Sequence, residues 1–471
     1  MGTKRLFTIL AAIVAVVASA GTIGFNGNTR EVIDVSPEAS TGLHHIYVLD
    51  GVDGVTMTYT AASATATVTW QDFSDGGGAS VQDTQGVTRT GRMTRLSNIT
   101  PNHGYIITEG TTPTYVWVTD YSTFGMKLHG ISHNAATDDC GTTRLIIDGD
   151  APEIVYYSIN GARRVLDRQF KLTYNTLEWV NDSTATEWQQ APVERNLESL
   201  QSEIVVPAPL CNTTFTLSGD RFMEQWGEAI TMESDNTYVT RTVDCRATAV
   251  QDVRENDNER QVAGGEGGEM LGGSAPVHIV FTGHPTDAVV YREWQLSTDA
   301  EFETIDQRIN ADEVDQTFNE AGTFYLRYVV ANGDGTCEAI SDVFTVNIGV
   351  SELLCPNVFS PGSSEGTNDV WKVSYSSIID FHCWIFNRWG NKVCEFTDPS
   401  QGWDGTYHGK LVGAGVYYYV IQATGSDGKK YKLSGDINII RHKKNPYTSD
   451  GDEEGTLPDT GGGDDGGGVV E

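Results

Sequence analysis

Apolar and polar residues alternate along most of this chain in short runs, separated by clusters of Gly, Asn, Asp and Pro. Examples are TATVTWQDF (65–73), KLTYNTLEWV (171–180), YREWQLS (291–297) and YVVANGDGTC (328–337). A period of two with frequent turn residues predicts half-buried antiparallel strands, and no long run carries the 3.6-residue period of a helix. The expected fold class is therefore all-β, built from tandem β-sandwiches. Three of the predicted strands carry a tryptophan, at Trp70, Trp179 and Trp294, each followed by a polar turn. A ring of that size can fill the gap between two sheets, so all three are expected in sandwich cores.

Turn clusters and changes in pattern divide the chain into modules at 30–122, 123–206, 207–262 and 276–350, with a further all-β unit at 354–443; the alternative division makes 30–275 two larger domains. The segment QVAGGEGGEMLGGSAP (261–276) is short of apolar surface and reads as a Gly-rich linker. The end of the chain, 444–471, is acidic and glycine-rich and reads as a disordered tail. Residues 318–348, FNEAGTFYLRYVVANGDGTCEAISDVFTVNI, repeat a turn, glycine, aromatic strand, turn and closing strand. On these residues the stretch 276–350 resembles the immunoglobulin-like and PKD-like modules of bacterial surface proteins.

The amino terminus changes the compartment. Lys4 and Arg5 precede an apolar run from Leu6 to Ala18 and then Ala18-Ser19-Ala20, which reads as a secretory signal peptide cut after Ala20. The run is too short for a bilayer span of roughly 20 residues, and no later segment is apolar enough to be one. The seven cysteines therefore meet an environment where disulfides persist, and their odd number leaves at least one free. None sits in a CxxC pair, so zinc-ribbon and thioredoxin chemistry have no support, and Cys211 with Cys245 is a candidate pair.

The 64 acidic against 31 basic residues, a net charge of -33, set up a field that repels nucleic acid and anionic membranes. Neither is expected as a partner. No HExxH, P-loop or dinucleotide fingerprint is present, and no cofactor or metal is expected beyond adventitious calcium. Gly362-Ser363-Ser364-Glu365-Gly366 fits GxSxG, but it lacks the strand-turn-helix of a nucleophile elbow. Leu457-Pro458-Asp459-Thr460-Gly461 fits LPxTG without the hydrophobic and basic segments a sortase signal needs. DGDAP (148–152) and ANGDGTC (331–337) are read as Asp-Gly turns, not calcium loops. His44 and His45, adjacent on a strand, point to opposite faces and cannot share a metal. No catalytic residue is assigned, and the chain is expected not to be an enzyme.

The most specific signal lies between Leu354 and Arg441. It comprises PNVFSP (356–361), Asn368-Asp369 with Trp371, IFNRWGNKV (385–393), GWDGTYHG (402–409), GVYYYVI (415–421) and DGKKYKLSGDINIIR (427–441). In that order the set closely resembles the gliding motility-associated carboxyl-terminal domain, the type B sorting domain of the bacterial type IX secretion system. The resemblance implies a β-sandwich signal that carries the chain from the periplasm across the outer membrane to the cell surface or medium. The implied partners are the type IX machinery and a dedicated outer-membrane protein.

The residues carrying this reading are Phe359, Pro361, Asn368, Asp369, Asn387, Arg388, Trp389, Gly390, Trp403, Asp404, Gly405, Gly415, Tyr417 and Gly435. Trp389 and Trp403 are expected to pack on the sandwich, with Arg388 over an aromatic face or paired with Asp404. Cys383 and Cys394 flank the NRWG turn. A two-residue loop would place them in cross-strand register, and a three-residue loop with Gly390 left-handed would turn them to opposite faces. The glycine favours the second, with both thiols reduced and mostly buried. For residues 30–350 the expectation is an adhesive or structural surface protein with an unknown protein or glycan partner. The alternatives are an accessory of the secretion or gliding machinery, or a carbohydrate-binding or carbohydrate-active module within 30–262.

Overall fold

The computed structural model describes residues 21–133, 138–260, 271–362, 366 and 368–440. The signal peptide with its Ala20 cleavage site, the LPxTG pattern, the acidic tail and most of the GxSxG pattern lie outside the described residues. Among those described, no helix is long and apolar enough to cross a membrane. The strands are built by the predicted alternation: in Thr142–Asp150, Thr143, Leu145 and Ile147 are buried while Arg144, Ile146 and Asp148 face out.

Four sandwiches result. In the first, the sheet of Thr22–Asn26, Thr56–Thr60, Met93–Leu96 and Val87–Thr90 faces a six-stranded sheet centred on Thr112–Asp120 and His103–Glu109. It begins eight residues before the expected start at 30, because Thr22–Asn26 pairs antiparallel with Thr56–Thr60. Trp70 sits in this core as expected, and its indole N–H donates to Thr94 Oγ1 at 2.9 Å.

The second sandwich runs across the boundary expected at 206. Lys127–His133, Thr142–Asp150 and Glu203–Pro207 form one sheet, and Phe170–Asn181, Thr186–Leu197, Thr216–Gly219 and Ile230–Glu233 form the other. Both enclose a single core from Ile131 to Tyr238. The modules expected at 123–206 and 207–262 are thus not separate. Leu172 pairs with Arg195 on one side and with Leu217 on the other, and such distant partners leave no mark in local sequence.

The third sandwich starts inside the expected 207–262 module, because Cys245–Gln251 pairs along its length with Val277–Pro285. Trp294 is fully buried at its centre. The expected 261–276 linker is also shorter than read. Residues 261–270 lie outside the described residues, but Leu271–Gly273 forms a parallel strand against Phe344–Ile348. Gly272 has φ 116° and a Cβ there would meet the Asn347 carbonyl, so this glycine permits close backbone pairing where its composition suggested a flexible link.

The sandwiches are braced against one another. One core joins Ile46, Val48, Phe73 and Trp117 of the first to Ile154, Tyr156, Leu166 and Phe222 of the second. Beside it Arg168 and Asp220, 2% and 0% exposed, form an ion pair at 2.6 Å. Arg168 also donates to the Phe124 and Pro152 carbonyls and to the Tyr121 hydroxyl, so every nitrogen of its buried guanidinium is hydrogen-bonded.

The long hairpin Phe170–Asn181/Thr186–Leu197 reaches from the second sandwich to the third. At its far end Trp179 and Trp188 are a cross-strand pair, Trp179 lies 4.9 Å from the His284 ring, and the Trp188 indole donates to the His284 carbonyl at 2.9 Å. Trp179 therefore does not fill a sandwich core. It clamps two domains and is half-buried, a role that alternation cannot distinguish because the pattern assigns a side chain to a face and not to what covers that face. Cys140 is disulfide-bonded to Cys337 across the same junction, while the candidate partners Cys211 and Cys245 are both free and buried. Cys245 lies within the core of the third sandwich and Cys211 outside it.

Candidate functional site

The fourth sandwich, from Glu352 to Ile439, is organised by a five-stranded sheet ordered Val358–Phe359, Lys430–Ile439, Gly415–Gly425, Ile378–Phe386 and Lys392–Phe396. Its inner face covers a core of Phe359, Trp371, Val373, Phe381, Cys383, Ile385, Trp403, Ile421 and Ile437. Two tryptophans hold the facing loops together. The backbones of Trp371 and Trp403 exchange hydrogen bonds at 2.8 and 2.9 Å, and both rings are buried.

Most of the motif residues build this fold. Phe359 packs on Trp403 with ring centroids 5.5 Å apart, and Tyr417 meets Trp403 edge-on at 5.2 Å. Pro361 is buried against Gly405, which has φ 76° and no room for a Cβ, since one would lie 2.8 Å from Pro361 Cγ. Asn368, also left-handed, accepts from the Ser360 amide through its carbonyl. Asp369 closes the same loop by accepting from the Gly362 and Gly366 amides. Asp404 accepts from Thr406 N–H and Oγ1–H at 2.9 and 2.7 Å. Gly415 opens its strand at φ 146°, and Gly435 lies beneath the ring of its cross-strand partner Tyr419.

The hairpin tip differs. Asn387 Oδ1 accepts from the Trp389 and Asn391 amides, the Asn387 amide donates to the Asn391 carbonyl, and Gly390 is left-handed at φ 80°. This is the expected three-residue loop. Trp389, however, is 70% exposed and does not pack on the sandwich. Arg388 stacks over it at 4.3 Å from the ring centroid and leaves Asp404 to Thr406.

The cysteine expectation needs a correction at the same turn. Phe386 pairs with Lys392 but Ile385 with Cys394, so Val393 is an extra residue in a second bulge. That bulge returns Cys394 to the face of Ile385 and Cys383, and the two thiols do not point to opposite faces. Both are free as expected, and burial pushes the Cys383 thiol up, with Cys355 and Cys394 close by.

Sequence reading missed the outer face of the same sheet. His382 stacks on Trp384 at 3.8 Å, and both donors meet Glu395, at 2.7 and 3.1 Å. Lys392 also pairs with Glu395, and together these bonds hold its carboxyl down at about 2. Trp384 lies opposite Val420 and Phe386 opposite Tyr418, so an aromatic stripe runs along the outside to the tip. The signal was available: in HCWIF (382–386) residues of both faces are apolar, where a solvated face would be polar.

A further element comes from upstream. Residues 258–260 lie alongside Ser374–Ser376, where Tyr375 N–H donates to the Asn258 carbonyl at 3.0 Å and Arg260 N–H to the Tyr375 carbonyl at 2.7 Å. Glu352–Leu354 covers the other edge of that strand. A short extended segment before the third domain's Gly-rich stretch thus bridges the edge of this sandwich at Tyr375.

Residues 353–439 match the sequence profile of the CHU_C type IX secretion signal domain. Residues 132–234 match that of a fibronectin type III domain, which falls within the second sandwich. The type IX signal directs the chain to the cell surface or extracellular space. No curated protein matches the chain. Among solved structures, dimeric latent PorU from Porphyromonas gingivalis is 9% identical over 71% of this chain, with a TM-score of 0.17, and only 36% of the PorU chain is covered. The three N-terminal domains of the bacteriophage RB49 highly immunogenic outer capsid protein Hoc are 9% identical over 68% of this chain and all of that one, with a TM-score of 0.21.

Proposed function

We propose that this chain is a non-enzymatic surface protein with an adhesive or structural role, and that the export machinery reads its signal at the Arg388–Trp389 tip. The carrying observation is the division of labour among the motif residues. Phe359, Pro361, Trp403, Gly405, Tyr417 and Gly435 are consumed in building the sandwich, whereas Trp389 is 70% exposed with Arg388 stacked on it. An exposed aromatic-arginine pair is the composition of an interface hot spot. The outer-membrane partner is then expected to offer an aromatic or acidic pocket to this tip.

The cargo reading rests on bracing. A shared core, a buried ion pair, a disulfide and a tryptophan clamp join three sandwiches, which suits a part that carries load or presents loops at a fixed spacing. The test compares Arg388→Ala/Trp389→Ala with wild type in the native host, using surface protease accessibility and periplasmic fractionation. Retention of a folded double variant in the periplasm is expected, and normal surface delivery would refute the role of the tip. Binding of the exported chain to host surfaces and to a glycan array, with hydrolysis measured in parallel, tests the cargo. Turnover of any glycan would replace the adhesive reading with an enzymatic one.

A further inference from the structure

The first described residue sits in a built corner. Gly21 adjoins the edge strand Thr22–Asn26, and its backbone N–H donates to the Tyr59 hydroxyl oxygen. The Tyr59 O–H in turn donates to Glu109 Oε2 at 2.8 Å, and Ala62 N–H donates to Glu109 Oε1 at 2.9 Å. Tyr59 is buried, and no cation among the described residues forms a salt bridge with Glu109. A Cβ on Gly21 would collide with the Tyr59 ring and come within 2.6 Å of the Thr60 carbonyl oxygen, so residue 21 has to be glycine.

This corner coincides with the cleavage point read from Ala18-Ser19-Ala20. We infer that the Tyr59–Glu109 pair is a receptor for the new amino terminus, which binds the α-ammonium of Gly21 once the leader is removed. In the cleavage, water adds hydroxide to the Ala20 carbonyl carbon and a proton to the Gly21 nitrogen as the peptide bond breaks. The released amine then takes a second proton from solvent. A neutral amide with one N–H becomes a cation with three, beside the Tyr59 hydroxyl oxygen, whose O–H is bonded to a carboxylate that lacked a counter-charge. Charge-assisted bonds of this kind are stronger than the amide bond they replace. The other charged group facing the corner is Arg92, whose guanidinium is turned to the Ala61 carbonyl at 2.8 Å.

The seated terminus adjoins the sheet edge, because Thr22–Asn26, which follows it, pairs along its length with Thr56–Thr60. Burial together with Glu109 lifts the Tyr59 phenol to about 12, so it stays a neutral relay between ammonium and carboxylate across physiological pH.

The experiment uses the full chain recovered from the exporting host. Mass analysis of its amino-terminal peptide is expected to give Gly21 as the first residue, and a different start overturns the proposal. The pH dependence of α-amine acylation is then compared between wild type and Glu109→Gln. The wild-type amine should titrate about one unit above the ordinary 7.7–8.0, and the variant within that range. Equal titration in both overturns it. Should Glu109→Gln fail to fold, the wild-type chain extended by two residues before Gly21 serves instead. Its displaced amine is expected to titrate normally, and a raised value there also overturns the proposal.

Discussion

Cys140 of the second sandwich is bonded to Cys337 of the third, joining positions 197 residues apart beside the Arg241–Asp334 ion pair at 2.6 Å. Each cysteine lies on a connecting segment between strands, and Cys337 is buried in the third core with Cys140 packed against it. The bond closes a loop that contains the whole Trp179–Trp188 hairpin and the strands of the third sandwich from Cys245–Gln251 to Gly322–Ala331. Its removal should release the junction and, through the long loop it closes, weaken both domains.

Cys337→Ser is therefore expected to lower the stability of the second and third sandwiches by about 2–5 kcal/mol, following the loss of a long closed loop. Denaturant unfolding should resolve into separate transitions where the parent shows coupled ones. Non-reducing peptide mapping should recover the 140–337 bridge and free thiols at Cys211, Cys245, Cys355, Cys383 and Cys394.

Asp220→Asn leaves the Arg168 guanidinium buried without its counter-charge, and the expected cost is about 3–5 kcal/mol. Asn retains the cap on Arg221–Gln225, so loss of helix capping cannot account for it. Combining Asp220→Asn with Arg168→Met should restore much of the loss, measured by thermal unfolding. A single variant as stable as the parent would show that the pair is not shielded from water.

Trp389→Ala and Trp403→Ala should separate recognition from folding. The first removes an exposed ring and should change stability by less than about 0.5 kcal/mol. The second empties a site filled against Phe359 and Tyr417 and should cost about 3–5 kcal/mol. Chemical denaturation alongside localisation tests both, and equal destabilisation would contradict the assignment of the tip.

Reporters carrying the sorting domain should depend on where the fusion begins. A fusion starting at 354 lacks Glu352, Leu353 and the 258–260 segment, leaving Tyr375 unpaired on both edges. Unpaired edges invite aggregation, so this reporter is expected to export poorly. Adding residues 254–260 and 349–353 should improve export and solubility together, read by surface fluorescence and sedimentation.

Acid should loosen the outer face of the same domain. Hydrogen bonds from Lys392, His382 and Trp384 lower the Glu395 carboxyl from its ordinary 4.5 to about 2. A depressed folded value means that the contribution is present above 4.5 and lost as the pH falls toward 2. The stability difference between wild type and Glu395→Gln should thus vanish near pH 2, and carboxyl NMR should show Glu395 titrating well below the other glutamates.

The strands, the presence of Trp70 and Trp294 in cores and the sorting signal were legible because each depends on near neighbours in the chain. Alternation places a side chain on a face, Gly390 sets a turn, and a motif spread over ninety residues keeps its order whatever surrounds it. Which strands pair was not legible. Leu172 pairs with both Arg195 and Leu217, and Cys245–Gln251 with Val277–Pro285, because complementary edges meet only when distant segments are brought together. The same limit moved Trp179 from a core to a clamp and gave Cys140 a partner 197 residues away. At the carboxyl-terminal turn, sequence alone specified the Asn387–Gly390 loop. Only tertiary packing, through the extra residue Val393, decided that Cys394 turns inward, and only packing left Trp389 outside, since exposure is set by what the rest of the chain fails to cover.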